Sequence, residues 1–78
     1  MTESQIQKKI IDRYEKDGYM VVKLIQTSKN GIPDLLLLKD GIAYFIEVKT
    51  ETGRLSELQK YRIKQLEEKG FKVEVLHK

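Results

Sequence analysis

The dipeptide Asp40-Gly41 stands between two apolar runs, Leu35 to Leu38 and Ile42 to Ile46. It is among the strongest short-range signals for a β-hairpin with a two-residue type I′ turn. Both central residues of that turn need positive φ, which Asp tolerates and Gly adopts freely. A hairpin of fixed loop length also fixes the register. Lys39 then faces Ile42, and stepping outward along the ladder sets Asp34 directly across from Glu47. Opposed residues have Cβ atoms about 4.5–5.5 Å apart. Lys49, two residues beyond Glu47, projects from the same face.

Like charges directly opposed in a sheet destabilise it, and charges are costly in an interior unless something pairs with them. A neighbouring lysine offsets part of that repulsion, and a divalent cation offsets far more. Mg²⁺ prefers hard carboxylate oxygens, keeps several waters, and is usually held by one or two carboxylates plus substrate phosphates. Asp34 and Glu47 match that requirement, and the backbone carbonyl of Val48 could add a further oxygen. The competing reading is a set of solvated strand-end charges with a surface Glu–Lys pair. A register slip of one residue would turn Asp34 to the opposite face and remove the juxtaposition.

The remaining elements fall on either side of the hairpin. Thr2-Glu3-Ser4-Gln5 forms a capping box, and Ile6, Ile10 and Tyr14 follow at helical spacing until Gly18 stops the helix. Tyr19 to Ile25 is rich in β-branched residues and reads as the first strand. Gln26 to Pro33 is dense in turn formers and reads as an exposed loop before a second strand starting at Asp34. The third strand runs from Ile42 to about Lys49. Ser56-Glu57-Leu58-Gln59 is a second capping box, opening a helix that ends before Gly70, and Phe71 to Leu76 alternates as a last strand. Short loops predict an antiparallel meander for the first three strands. The helical crossover predicts a fourth strand parallel to the third. The expectation is an α/β domain, ordered α-β-β-β-α-β, with a small mixed sheet and flanking helices.

At 78 residues the chain is expected to form one domain, residues 1–78, near the lower limit of comfortable stability. It has no cysteine to supply a disulfide or thiolate metal site, so oligomerisation is a natural source of extra stability. No apolar run approaches the roughly 20 residues of a membrane span, and a cytoplasmic protein is expected. The net charge of +3 permits a polyanionic partner without identifying one. No Ser/His/Asp or Cys/His arrangement competes with the acidic pair. His77, the single histidine, is expected to be solvated, and Tyr14 and Tyr44 are expected in the core.

Pro33-Asp34 at a strand start, a hairpin, and Glu47-Val48-Lys49 at the next strand's end resemble the PD-(D/E)xK nuclease signature. The likeness is closer still to the virus-type replication-repair nuclease (VRR-NUC) domain. Gly31-Ile32-Pro33-Asp34, Phe45-Ile46-Glu47-Val48-Lys49 and Leu55-Ser56-Glu57-Leu58-Gln59 all resemble its motifs, and the likeness spans nearly the whole chain. Glu-x-Lys alone is a weak signal; the combination is much more specific.

The resemblance implies a restriction-endonuclease-like core and a Mg²⁺-dependent DNA endonuclease, with Mn²⁺ as a substitute ion. In that reading Asp34 and Glu47 hold the metal with the Val48 carbonyl, Lys49 stands beside the attacking water, and Gln59 supports the site. Both an orienting or charge-stabilising role and a general-base role are open to Lys49. Glu3 resembles an acidic residue that some related nucleases carry on their first helix. Gln59 and Glu3 also have plain structural explanations, as a capping-box residue and as a carboxylate complementing a helix dipole.

Lys29 and Arg54, in the loops flanking the hairpin strands, are candidates for phosphate contacts. No recognition helix rich in Asn, Gln and Arg is evident, which favours reading nucleic-acid shape over sequence. Stand-alone members of the resembled family are associated with dimers that cut branched DNA, and a symmetric homodimer supplies the two sites that paired incisions need. The expected partner is therefore branched DNA, a four-way (Holliday) junction first. Flaps or splayed arms, a catalytically silent DNA-binding module of the same fold, and a purely structural protein are the alternatives.

Overall fold

The computed structural model describes residues 1–78. Its elements are α1 (Glu3–Lys16), β1 (Met20–Lys23), β2 (Leu35–Lys39), β3 (Ile42–Lys49), α2 (Glu57–Glu68) and β4 (Lys72–His77). The strands form one mixed sheet in the order β1-β2-β3-β4. β1, β2 and β3 are antiparallel neighbours, and β4 lies parallel to β3, as the crossover through α2 demands.

Local chemistry sets the boundaries of both helices. Each opens with a reciprocal capping box, Thr2 with Gln5 and Ser56 with Gln59. Each closes with a Schellman pattern: Gly18 and Tyr19 donate to the carbonyls of Glu15 and Tyr14, and Gly70 and Phe71 to those of Glu67 and Leu66. Across the end of α1 the Tyr14 and Tyr19 rings then meet edge to face, 5.3 Å between centroids.

The hairpin has the expected register, Lys39 paired with Ile42 through Leu35 paired with Ile46. Its turn carries φ of 53° at Asp40 and 75° at Gly41, the two positive values of a type I′ turn. Three strands differ slightly in their limits from the sequence reading. β1 is shorter than Tyr19–Ile25: the Leu24 N–H still reaches the Asp34 carbonyl, but Ile25 has left the sheet and is 82% exposed. β2 begins at Leu35 rather than Asp34, because Pro33 has no N–H to continue the ladder. β4 begins at Lys72, since the Phe71 N–H is used to close α2.

The core lies between α1 and one face of the sheet. Ile6 and Ile10 of α1 meet Leu35, Leu37, Ile46 and Val48, all buried. Tyr14, Tyr19, Tyr44 and Leu76 pack around them. The opposite face carries Leu36, Leu38, Phe45 and Val75, all half-buried, and α2 packs against β4. No helix is long and apolar enough to cross a membrane.

Candidate active site

Extending the ladder one step past Leu35 and Ile46 places Asp34 opposite Glu47, on the face turned toward α2. Lys49 emerges from the same face. The sheet does not leave these charges in solvent. Glu47 is only 3% exposed, and its Oε2 lies 3.5 Å from Lys49 Nζ, whose side chain is itself mostly covered. Gln59 Nε2 donates to the same Glu47 oxygen at 3.2 Å. The solvated strand-end reading therefore fails for Glu47 and Lys49.

Asp34 is held by a substitution within the ladder. Asp34 turns its own backbone toward β1, where its carbonyl accepts the Leu24 N–H at 2.8 Å. By the alternation of an antiparallel pair, the next ladder partner of Val48 would be residue 33. That residue is Pro33, which has no N–H. The Val48 N–H donates to the Asp34 Oδ2 at 2.8 Å rather than to the Pro33 carbonyl, and Pro33 has no donor to offer the Val48 carbonyl on that same edge. The Val48 N–H thus orients the Asp34 carboxylate, and the proline before it leaves the Val48 carbonyl without a ladder donor. The Val48 side chain meanwhile points to the other face and is fully buried in the core.

The electrostatics of the pair are unfavourable as they stand. Glu47 has its pKa pushed up to about 7, first by burial, then by the facing Asp34 carboxylate, with Lys49 pulling the other way. Asp34 is close enough to hydrogen-bond a proton on Glu47. Two carboxylates, one ammonium and a carbonyl oxygen leave a deficit of positive charge that either a proton or a cation can fill. A hard divalent ion suits such an all-oxygen set, with water and a phosphate oxygen completing its shell.

Gln59 reconciles its two readings. Its Oε1 accepts from the Ser56 N–H at 2.9 Å while its Nε2 reaches Glu47, so one amide caps α2 and anchors the carboxylate together. Lys29 lies on the loop lining an open cleft beside Asp34. Arg54 is exposed in the loop between β3 and α2. Glu3 does not join the acidic pair. It is exposed in the first turn of α1, and no group of three His, Cys, Asp or Glu residues is gathered anywhere to hold a metal. His77 is exposed at the end of β4, opposite Lys49 in the register, its Nε2 3.1 Å from the Gly53 carbonyl.

Sequence reasoning missed Arg62, which hydrogen-bonds the loop before Asp34 through the Asn30 carbonyl. Its position three residues after Gln59, on the same stripe of α2, was the available signal.

Comparison with known proteins identifies the family and the fold. No curated protein matches the chain. Among solved structures, a VRR_NUC domain superposes with a TM-score of 0.86 at 32% identity, covering 96% of this chain and 83% of the other. The VRR-NUC domain family model matches residues 19–78, from just before β1 to the last residue. With its acidic pair, lysine and hairpin in the places described, the chain belongs to the VRR-NUC family, nucleases of the PD-(D/E)xK superfamily that act on DNA.

Proposed function

We propose that the chain is a Mg²⁺-dependent, structure-selective DNA endonuclease that hydrolyses phosphodiester bonds in branched DNA, four-way junctions foremost, as a homodimer. The observation that carries this reading is the buried Glu47 facing Asp34, with Lys49 and Gln59 both directed at the same Glu47 oxygen. Burying a carboxylate opposite another is a cost that a stable fold would not retain without use.

In this mechanism Asp34, Glu47 and the Val48 carbonyl hold the ion. Bound there, Mg²⁺ would polarise a non-bridging phosphate oxygen and lower the pKa of a coordinated water. Gln59 keeps Glu47 in place by its hydrogen bond, and Asp34 is fixed by the Val48 N–H. Lys49, adjacent to Glu47, orients the attacking water and stabilises the negative charge that grows on the phosphoryl oxygens. Lys29 and Arg54 contact flanking phosphates and give affinity without sequence information.

The dimer reading has a structural support beyond the need for two incisions. No residue of α2 is buried, and Leu58, Tyr61 and Phe71 on and after it are each more than two-fifths exposed. Apolar surface of that kind is characteristic of interaction sites.

The test is incubation of purified protein with labelled four-way junction, flap, splayed-arm and linear duplex DNA, in Mg²⁺ or EDTA. Junction cleavage in Mg²⁺ only, abolished in Asp34→Asn while binding persists, is the expected result. Absence of metal-dependent cutting on every substrate refutes the enzyme reading; preference for flaps refutes the junction assignment alone. Light scattering that shows a monomer at micromolar concentration refutes the dimer.

A further inference from the structure

Beside Asp34 opens a cleft of about 460 Å³, predominantly polar, formed by the loop between β1 and β2. Gln26, Thr27, Lys29 and Asn30 line it together with Asp34 itself. The loop lies exposed in sequence terms, yet it is tied at several points. At its base, the Leu24 N–H pairs with the Asp34 carbonyl. Within it, the Thr27 hydroxyl donates to the Lys29 carbonyl at 2.7 Å. On its far side it rests on α2, where Arg62 Nε donates to the Asn30 carbonyl at 2.8 Å.

That last contact is built tightly. Gly31 has φ of 83°, and a Cβ there would stand 2.8 Å from Leu58 Cγ and 3.1 Å from Arg62 Cγ. Only glycine lets the loop backbone come so close to α2 while adopting a left-handed conformation. The Arg62 guanidinium is itself fixed, since Nη1 donates to Gln65 Oε1 at 2.8 Å and the group lies over the Tyr61 ring. Gln59, one turn earlier on α2, holds Glu47. A single helix therefore sets both the catalytic carboxylate and the wall of the adjoining cleft.

We infer that the cleft receives the phosphodiester backbone of the strand being cut, and that Arg62 is a positioning residue that holds its Lys29-bearing wall through the Asn30 carbonyl. This rests on the nuclease reading and extends it. The wall offers a cation, a hydroxyl and side-chain amides, which are phosphate-binding groups, next to the carboxylate proposed to hold the metal. Arg62 spends its Nε donor on the loop backbone, so its effect on DNA passes through the loop.

The experiment compares Arg62→Ala, Arg62→Gln and Lys29→Ala in steady-state cleavage of a labelled four-way junction, with thermal unfolding of each variant alongside. Gln places an amide nitrogen where Arg has Nε, so it keeps the bond to Asn30 without the charge. Arg62→Ala should raise KM roughly tenfold, the loss of one charge-assisted hydrogen bond, with kcat within about twofold. Arg62→Gln should restore KM. Lys29→Ala should raise KM and flatten the dependence of log affinity on log salt by about 0.9, one phosphate contact. An unmoved KM in Arg62→Ala overturns the inference. So does an Arg62→Gln variant as weak as alanine with a flattened salt slope, because that marks direct contact between the guanidinium and a phosphate. Should Arg62→Ala not fold, Lys29→Ala decides: an unmoved KM together with an unmoved salt slope overturns the inference. Failure of the nuclease reading looks different: the unaltered protein then cuts nothing.

Discussion

On the face covered by α1, four strand side chains, Leu35, Leu37, Ile46 and Val48, are fully enclosed with Ile6 and Ile10. On the face covered by α2, the one buried strand side chain is a carboxylate, Glu47, and α2 itself buries nothing. The two faces belong to the same strands, and alternation along β3 assigns its even residues to the core and its odd ones to the site. The lesson is a division of labour. The α1 side supplies the apolar burial that holds so small a chain together, and the α2 side uses that stability to keep a charged cluster out of water.

The largest contrast should come from matched truncations. Leu37→Ala, at the centre of the α1 side, is expected to cost about 2–5 kcal/mol in urea unfolding. Leu58→Ala, 41% exposed on α2, should cost less than about 1 kcal/mol. Equal losses would dissolve the distinction between the faces.

Next in size is the loss of the cation beside Glu47. Lys49→Ala should lower junction-cleavage kcat by about 10²–10³-fold and leave the fold intact. It also removes the only charge pulling the Glu47 pKa down, so the pH profile should move upward. A profile that stays put would mean that Lys49 does not act on Glu47 in solution.

The acidic pair makes the α2 side sensitive to pH in a defined direction. Glu47 titrates near 4.5 when exposed and at about 7 in the fold. Between those values the folded state retains a proton that the unfolded chain has released, so stability falls as pH rises through the window, by up to about 3 kcal/mol. Below the window this group contributes no slope. Glu47→Gln should flatten the dependence, raise Tm at pH 8 and abolish cleavage. A metal-loaded protein should lose the slope too, because ion binding displaces the same proton.

The smallest effect separates the two duties of Gln59. Gln59→Glu keeps an oxygen acceptor for the Ser56 N–H but replaces the donor to Glu47 with another acidic group. Cleavage should fall about 10–100-fold, as with other residues that support a metal ligand, while Tm stays within a few degrees. A large loss of helix stability with unchanged cleavage would make Gln59 a cap alone.

Much of this could be read before any coordinates. The Asp40-Gly41 turn fixed the hairpin register, and both capping boxes opened helices where expected. Fold class and element order followed from those signals and matched the structure. Other features were hidden because they depend on contacts distant in sequence. Gln59 offers a choice between cap and site residue that only the fold resolves, by bringing its amide within reach of Glu47 on β3. Glu3 sat in a plausible motif position, yet α1 packs over the opposite face of the sheet and carries it to solvent. Arg62 offered only its place on the Gln59 stripe of α2, since its partner is a backbone carbonyl, which no residue type announces.

The sequence by itself determined which charges share a face, because a two-residue turn transmits its register rigidly along both strands. Only the tertiary structure decided that Glu47 would be buried, raised in pKa and tethered to α2. Desolvation and hydrogen bonding depend on what covers a side chain, and that cover comes from a helix that begins ten residues later in the chain.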